Sequence, residues 1–420
     1  MKISLKEIGF VLIVSIYIFV PPLFPFGMSI VMGMGFIMYC ICNYHRIRNT
    51  LLSKPILITY FIFLVSIIWV TLSYIYVYGS ITNLLPILVN YIYLLIYSIT
   101  GAIVICDLLI KYKFKQNKIW KYIIYAGAVQ GVLAILAFMN VHIQNLCCIF
   151  LENIMSKDII DYWRNYRLYG LACSLTYSMP IVQSLLGGLA ILYARKYNEK
   201  FYFLVPILWG SAIINARVSL IVIIIEMLTL VLIGTRKSNE YKLIKKSSFC
   251  IILLLFICIL VTILTAARHG ISFERITDPI LEIVSLFKGD IVFKSEGYLA
   301  YFFVDPKALV MPVGKELLFG GGIWNNTSDI GYIRNLWVGG IFYCIFIYVT
   351  YLIYLRKMYK KLKRTTYDFC PMVIIIGITL FVVNIKGDIF GGMNEVQNLF
   401  FLLVGISLFI NRKGVDETFE

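Results

Sequence analysis

The chain is a succession of long apolar runs separated by short polar segments, and this pattern limits its fold more than any other feature. A helix that crosses a bilayer needs about 20 mostly apolar residues. Twelve such spans are expected near residues 8–24, 27–43, 55–78, 84–110, 120–140, 171–194, 201–215, 218–234, 247–267, 333–355, 369–385 and 397–411. The first run continues past a proline cluster without a small-residue cleavage site, which favours a retained span over a removed signal peptide.

Composition supports the same fold class. Sixty per cent of the residues are hydrophobic and 14% are charged, whereas about a quarter of the residues in a soluble globular domain are charged. A water-soluble fold of 420 residues cannot hide that much apolar surface. The sequence therefore predicts an all-α polytopic integral membrane protein with about 12 transmembrane helices, forming a single transmembrane domain over residues 1–420.

The basic residues predict the sidedness of the spans. The net charge of +16 comes from short Lys and Arg clusters between apolar runs, which is how the positive-inside rule marks cytoplasmic loops rather than a nucleic-acid surface. With the N-terminus inside, 26 of the 38 basic residues fall on the cytoplasmic side. Both termini are therefore expected in the cytoplasm, and no nucleic-acid partner is expected.

Two loops on the expected extracytoplasmic side are longer than the others. Residues 141–170 form a medium loop and residues 268–332 a long one. Long loops without structure of their own are usually functional or disordered. Because the long loop contains aromatic and apolar stretches, it is expected to fold into short helices that cap the membrane domain.

Several arginines stand at the expected outer face. Arg167 precedes the sixth span, Arg217 lies in the turn of a tight hairpin, and Arg268 and Arg275 open the long loop. Guanidinium groups bind phosphate oxygens bidentately and stay charged when partly desolvated. The arrangement favours binding of a lipid-linked diphosphate, although outer arginines also bind lipid headgroups.

The end of the long loop contains a candidate acid–base residue and a run of glycines. Asp329 can accept a proton from an attacking hydroxyl, or it can cap the helix that follows. Gly320 and Gly322 can let backbone approach a ligand, or they can form a hinge. Glu226, in the middle of the eighth span, is either a proton relay or a buried carboxyl bonded to a neighbouring hydroxyl. The ten cysteines show no metal-ligand spacing.

These motifs resemble those of the Wzy-type O-antigen and capsular polysaccharide polymerases, a family related to the O-antigen ligases. The shared features are an Arg-x-x-Gly before a span, an arginine opening a span of a short hairpin, and a long outer loop that ends in glycines, Asp-x-Gly-Tyr and a helix with Gly-Gly near its start. In this chain they are Arg167, Gly170, Arg217, Gly320 to Gly322, Asp329, Gly331, Tyr332, Gly339 and Gly340.

The resemblance implies a glycosyltransferase without metal or cofactor in a bacterial cytoplasmic membrane. It would transfer a growing glycan from undecaprenyl diphosphate onto a sugar hydroxyl of the next lipid-linked repeat unit. The arginines would hold the diphosphate, with Arg275 preferred to Arg268 for the second phosphate contact. Membrane lipid, a chain-length regulator and a flippase are the other partners that the resemblance implies.

Two alternatives stay open. A flippase for lipid-linked oligosaccharide would also have many spans and a cationic cavity, but flippases usually show an internal repeat and short loops on both sides. Neither feature is visible here. An O-antigen ligase would carry a histidine followed by asparagine near the end of the long loop, where this chain has "NNTSDIGY" at 325–332.

Overall fold

The computed structural model describes residues 4–23, 27–78, 85–112, 114, 116–152, 157–158, 160, 170, 172, 177–216, 218–234, 309–323, 328 and 330–409. These residues form helices and connecting turns, without a strand. The α-helices are α1 Leu5–Phe19, α2 Met28–Cys42, α3 Tyr44–Leu51, α4 Lys54–Tyr78, α5 Leu85–Tyr93, α6 Thr100–Lys111, α7 Gln116–Met139, α8 Val141–Leu151, α9 Ser178–Lys196, α10 Val205–Asn215, α11 Val218–Gly234, α12 Lys315–Phe319, α13 Gly331–Thr365, α14 Cys370–Val383 and α15 Glu395–Phe409.

The prediction of an α-helical membrane protein is supported by apolar helices of sufficient length. In the described part of the chain, four helical stretches are long and apolar enough to cross a membrane, namely Lys54–Tyr78, Ile87–Lys111, Lys118–Met139 and Gly331–Thr365. The pair α2 and α3, bent by 104°, makes a fifth if it counts as one span. The full set of twelve spans stays a prediction, and the expected span at 247–267 lies outside the described residues.

One end of the bundle is fastened by ion pairs. Lys118 pairs with Glu7 at 3.1 Å, Arg46 with Asp107, and Lys196 with Asp368. Each pair joins segments that the charge pattern assigns to the same side of the membrane. The structure thus places these segments at the same end of the bundle. That this end faces the cytoplasm stays a prediction.

Glu7 illustrates how a helix start becomes a tertiary contact. It is the third residue of α1, where its carboxylate accepts from the Ser4 backbone while Ser4 Oγ accepts from the Glu7 backbone, forming a capping box. Glu7 also contacts α7, where the Tyr122 hydroxyl donates to the Glu7 carboxylate at 2.8 Å. Burial raises the pKa of Glu7, but the hydrogen bonds from Tyr122, Ser4 and Lys118 outweigh it and lower the pKa to about 2.

The opposite end of α1 stops inside the bundle. A π-helical turn, Leu94–Ile99, interrupts the neighbouring helix there. Side chains bind the carbonyl groups at the end of α1: Tyr97 donates to the Ile16 carbonyl, which also accepts from Val20 N, and Asn398 donates to the Tyr17 and Ile18 carbonyls. Since unpaired backbone groups are costly away from water, these two side chains allow α1 to end at a depth where its backbone is buried.

Helix α13 departs most from the expected architecture, because it folds back on itself. Gly340 has non-helical dihedral angles (φ 70°, ψ −173°). Tyr332 and Tyr348, 16 positions apart, would be separated by about 24 Å along a straight helix, yet their ring centroids are 5.6 Å apart. The expected span at 333–355 is therefore two arms, a short arm (331–339) lying beside a long arm (341–365).

Candidate functional site: a polar cluster at one end of the bundle

The end of the bundle away from the ion pairs contains the connection between α14 and α15, residues 384–394. The polar side chains of this connection form hydrogen bonds with its own backbone. Asn384 Oδ1 accepts from Ile389 N at 3.1 Å, Asp388 Oδ1 from Gly391 N at 2.8 Å, and Asn394 Oδ1 from Gln397 N at 2.9 Å. The last bond caps the start of α15. This connection is therefore a fixed platform, although it has no regular secondary structure.

Two helices begin on this platform. Ser178, the first residue of α9, donates a short hydrogen bond to Glu395, the first residue of α15. Both residues are buried, with 5% and 4% of their surfaces exposed. Gly387 lies so close to the Tyr177 ring that a Cβ at position 387 has no room. The start of α9 is thereby packed onto the connection and onto α15.

The short arm of α13 reaches the same platform. Gly331, its first residue, donates its backbone N–H to the Asn384 carbonyl at 2.8 Å. Just before it, Ser328 is fully buried and its Oγ accepts from Ile330 N at 3.2 Å. The fold-back of α13 therefore places residues 328–331, at the end of the expected long loop, at the platform.

We define the polar cluster as Ser178, Ser328, Asn335, Asn384, Asp388, Glu395 and Gln397, each at most 8% exposed. Two of its buried atoms, Asn384 Nδ2 and Asn335 Oδ1, have no hydrogen-bond partner among the residues that the structure describes. Leaving a buried polar atom unpaired costs about 1–3 kcal/mol, so such atoms call for an explanation. A donor and an acceptor of this kind can bind the polar atoms of a ligand.

Helix N-termini at the cluster favour negative charge. Helices α9, α13 and α15 all begin at the cluster, and α11 begins beside α9, where the Ser184 hydroxyl donates to the Ser219 carbonyl at 3.4 Å. Each helix N-terminus carries about half a positive charge. The carboxyl groups of Asp388 and Glu395 supply acid–base groups in the same place.

Five of the predicted site residues, Asp329, Arg167, Arg217, Arg268 and Arg275, lie outside the described residues, and their roles stay predictions. The structure describes the neighbours of two of them. Ser328 and Ile330, on either side of Asp329, are buried beside the platform, and Asn215 and Ser219, which flank Arg217, are buried next to α9.

Gly170, the last residue of the Arg-x-x-Gly motif, has a structural reason to be glycine. It has a φ of +58°, and a Cβ would lie 2.9 Å from Gln130 Nε2 on α7. A positive φ is costly for other residues. The motif therefore ends in a tight turn against α7, at a residue that only glycine suits.

Gly320 and Gly322 lie at the other end of the short arm, near its junction with the long arm. Their φ values are +77° and +61°, and a Cβ on Gly320 would be 2.5 Å from the Gly339 backbone. The neighbouring Gly321 N–H donates to the Trp337 carbonyl at 2.7 Å, and that of Gly322 to the Val338 carbonyl at 3.0 Å. In the described structure these glycines permit contact between two backbones; contact with a ligand stays a prediction.

The connection at 384–394 was not among the predicted site segments. Only a short outer loop is expected there from the sequence. Four polar residues nevertheless fall close together between two apolar spans, namely Asn384, Asp388, Asn394 and Glu395. Carboxylates and amides so near the membrane interior are costly unless they are paired or functional. That density of polar residues is the signal that could have identified the segment.

A second buried carboxyl lies away from the cluster. Glu226, in the middle of α11, is fully buried; its Oε2 accepts from Trp209 Nε1 at 3.1 Å, and its Oε1 has no hydrogen-bond partner. It fits because position 188 on α9 is glycine, where a Cβ would be 2.6 Å from Glu226 Oε1. Glu226 is thus a buried carboxyl as expected, but its partner is an indole N–H rather than the expected hydroxyl, and proton relay stays a prediction.

Metal ligands do not cluster in the described part of the chain, where no group of three or more His, Cys, Asp and Glu side chains is placed to hold an ion. Comparisons of the sequence with protein-family models, with curated proteins and with solved structures returned no match. A functional interpretation therefore depends on the chemistry of the residues themselves.

Proposed function

We propose that this chain is a membrane glycosyltransferase that polymerises lipid-linked saccharide repeat units at the outer face of a bacterial cytoplasmic membrane. The observation that carries the proposal is the convergence of helix N-termini and buried polar groups on the polar cluster. The residues that flank Asp329 lie at this cluster, and Ser219, close to Arg217 in sequence, contacts α9, the helix that begins there. The proposed substrate is a glycan on undecaprenyl diphosphate, and the acceptor is a hydroxyl of the next repeat unit.

In the proposed reaction, the acceptor oxygen forms a bond to the anomeric carbon of the growing glycan. The bond from that carbon to the diphosphate oxygen breaks, and the diphosphate leaves with the bonding electron pair. Helix N-termini and arginines stabilise the negative charge that develops on the leaving group. In this proposal Asp329 is the general base that accepts the proton of the attacking hydroxyl.

Burial of the cluster supports this assignment. Ser328 and Gln397 are fully buried, and Asp388 and Glu395 are each at most 8% exposed. Electrostatic interactions are stronger in such surroundings than in water. A site of this kind also limits hydrolysis of the carrier-linked glycan, since water would compete with the sugar hydroxyl as the nucleophile.

The test is deletion of the gene in its source organism, followed by complementation with variants and electrophoresis of surface glycan. The wild-type copy should restore a ladder of long chains. Arg217→Ala and Asp329→Asn should leave single repeat units without the ladder, while the protein stays at wild-type abundance in the membrane. The matched control, Arg364→Ala, removes an exposed arginine at the opposite end of the bundle and should restore the full ladder.

Two results would contradict the proposal. A normal ladder from both Arg217→Ala and Asp329→Asn would remove these residues from the reaction. Loss of all surface glycan in the deletion strain, including single repeat units, would indicate the flippase or the ligase. These two are separated by testing whether lipid-linked repeat units become exposed at the outer surface, because a ligase mutant still exposes them and a flippase mutant does not.

A further inference from the structure

The exposed face of the long arm of α13 changes abruptly from apolar to basic. Exposed side chains recur every three or four positions, so they form one stripe along the helix. The first part of the stripe is entirely apolar and consists of Phe342, Ile345, Phe346, Val349, Leu352 and Ile353. The second part is entirely basic and consists of Arg356, Lys357, Lys360, Lys363 and Arg364. One side of a single helix therefore carries an apolar surface that continues into a cationic one.

The position of this change marks the edge of the hydrocarbon layer. The stripe is apolar from Phe342 to Ile353, a length of about 17 Å of helix, which is roughly half the hydrocarbon thickness of a bilayer. The first cation, Arg356, follows Ile353 after about 4.5 Å. Cations that follow lipid-facing apolar residues on the same face lie at the level of the lipid head groups. We therefore expect Arg356, Lys357 and Lys360 beside lipid phosphate groups.

These three cations form no ion pair with the residues that the structure describes. The ion pairs at this end of the bundle involve other basic residues. Asp368, three residues after the end of α13, is paired with Lys196. The helix dipole does not account for the cations either, because it acts within the last turn, and Arg356 precedes the last residue of α13 by nine positions. The cations are thus available to bind an anion from outside the described chain.

One of the cations stands at the end of an apolar groove between the long arm and α14. The groove has a volume of about 580 Å³. Its wall on α13 consists of Leu352, Leu355, Arg356 and Tyr359, and its wall on α14 of residues between 373 and 382. The guanidinium of Arg356 and the hydroxyl of Tyr359 are its polar groups, and both come from the end nearer the ion pairs. The rest of the lining is apolar, so the groove suits a molecule with one anionic end and a hydrocarbon chain.

The groove is open to the outside of the bundle. Leu352 on one wall is 52% exposed and Ile378 on the other is 41% exposed. Gly377 leaves space between the walls, since a Cβ at this position would lie 3.2 Å from Leu355 Cδ1. A hydrocarbon chain can therefore lie between the two helices while a phosphate at its end meets the fork of Arg356, which binds phosphate oxygens bidentately.

We infer that this surface binds an anionic phospholipid, with its phosphate at Arg356, Lys357 and Lys360 and one acyl chain in the groove. An anionic head group is favoured over a zwitterionic one, because a choline or ethanolamine group would bring a further positive charge to the three cations. Lipid is favoured over an acidic protein, because the cations continue the lipid-facing stripe and the groove accepts a chain. The site lies at the end of the bundle opposite the polar cluster, so the inference does not depend on the proposed reaction.

The test uses the full-length protein in phosphatidylcholine nanodiscs that contain a small fraction of phosphatidylglycerol with a photoreactive diazirine in one acyl chain. Labelling should occur on peptides from both α13 and α14. Each cation near an anionic lipid is worth about fivefold in binding, so Arg356→Gln combined with Lys360→Gln should lower labelling by about 25-fold. Arg364→Gln is the matched control, because it removes the same charge about 12 Å further along the helix, beyond the Debye length at physiological salt, and it should not change labelling.

A second pair of variants tests the groove without a change of charge. Leu352→Trp places an indole in the groove and should remove most of the labelling from the α14 peptides. Ile353→Trp is its control: Ile353 is 47% exposed on the same helix but does not line the groove, so labelling should stay. All of these substitutions are at exposed positions, so the melting temperature in detergent should match that of the wild type.

The choice of lipid is tested with a phosphatidylcholine that carries the same diazirine, which should label the two helices only weakly. Equal labelling by both probes would overturn the inference, because the groove would then accept any membrane lipid. An equal loss of labelling in Arg364→Gln and in the double variant would overturn it as well, since the attraction would then come from a diffuse basic surface. Unchanged labelling in the double variant would assign the basic face to another partner, such as an acidic protein.

Discussion

The backbone of Gly340 lies directly against the Leu318 carbonyl, so that a Cβ at position 340 would overlap the carbonyl oxygen. It would also lie 2.6 Å from Gly320 N. This contact joins the segment Leu318–Gly320 to the point where α13 folds back. The position of the short arm, and with it one side of the polar cluster, depends on glycine at that point.

Gly340→Ala is therefore expected to destabilise the protein by at least about 1–3 kcal/mol, because the positive φ is strained for alanine and the overlap adds to this cost. The measurement is thermal unfolding of the detergent-solubilised protein. Gly35→Ala in α2 is the control, since no heavy atom lies within 4 Å of the added Cβ, and it should be neutral or slightly stabilising. Equal stability of both variants would contradict the fold-back at Gly340.

The Glu7 contacts give a pH-dependent contribution to stability. Its carboxyl pKa is lowered from 4.5 to about 2, so folding favours the ionised form. The contribution is therefore complete above pH 4.5 and is lost as the pH falls towards 2. At neutral pH, Glu7→Gln should lower the free energy of unfolding by up to about 3 kcal/mol.

The measurement is the melting temperature of wild type and Glu7→Gln as a function of pH. The difference between them should be largest at neutral pH and should shrink as the pH falls below 4.5. Glu152→Gln, which changes an exposed carboxylate at the end of α8, should melt like the wild type throughout. A difference that grows on acidification would refute the assignment of Glu7 as an ionised anchor.

Two substitutions of Glu226 are expected to differ in their effect on the free energy of unfolding. Glu226→Gln keeps the shape and an oxygen that accepts from Trp209 Nε1, so stability should change by less than about 1 kcal/mol. Glu226→Ala leaves a cavity and an unpaired indole N–H, and should cost about 2–5 kcal/mol. Unfolding of both variants in the same detergent measures the contrast. A larger loss from glutamine than from alanine would show that the carboxyl acts as a buried charge.

The orientation of the bundle can be tested by thiol labelling in a background without cysteine. Ile385→Cys introduces a thiol next to the polar cluster, and Thr365→Cys introduces one at the opposite end, both at exposed positions. A membrane-impermeant maleimide should label position 385 in intact cells and position 365 only after permeabilisation, because the basic clusters favour the cytoplasmic side. The reverse pattern would place the polar cluster in the cytoplasm and exclude the proposed outer-face reaction.

The sequence by itself determined the helical class and the grouping of the helix ends. Apolar runs of bilayer length leave few alternatives to helices, because backbone groups in lipid must be paired within the chain. The charge clusters also predicted which segments share an end, and Lys196 with Asp368 and Lys118 with Glu7 join segments assigned to the same side. These features are local in the sequence, so local patterns were sufficient to predict them.

Only the tertiary structure decided where the chain breaks and which polar groups meet. The apolar character of Gly331–Thr365 continues through Gly340, so hydropathy cannot distinguish a straight span from two arms. The fold-back depends on contact with Leu318, and the cluster depends on contacts such as Ser178 with Glu395, which are 217 positions apart. Contacts of this kind arise from packing between distant segments, and the local periodicity of a sequence does not encode them.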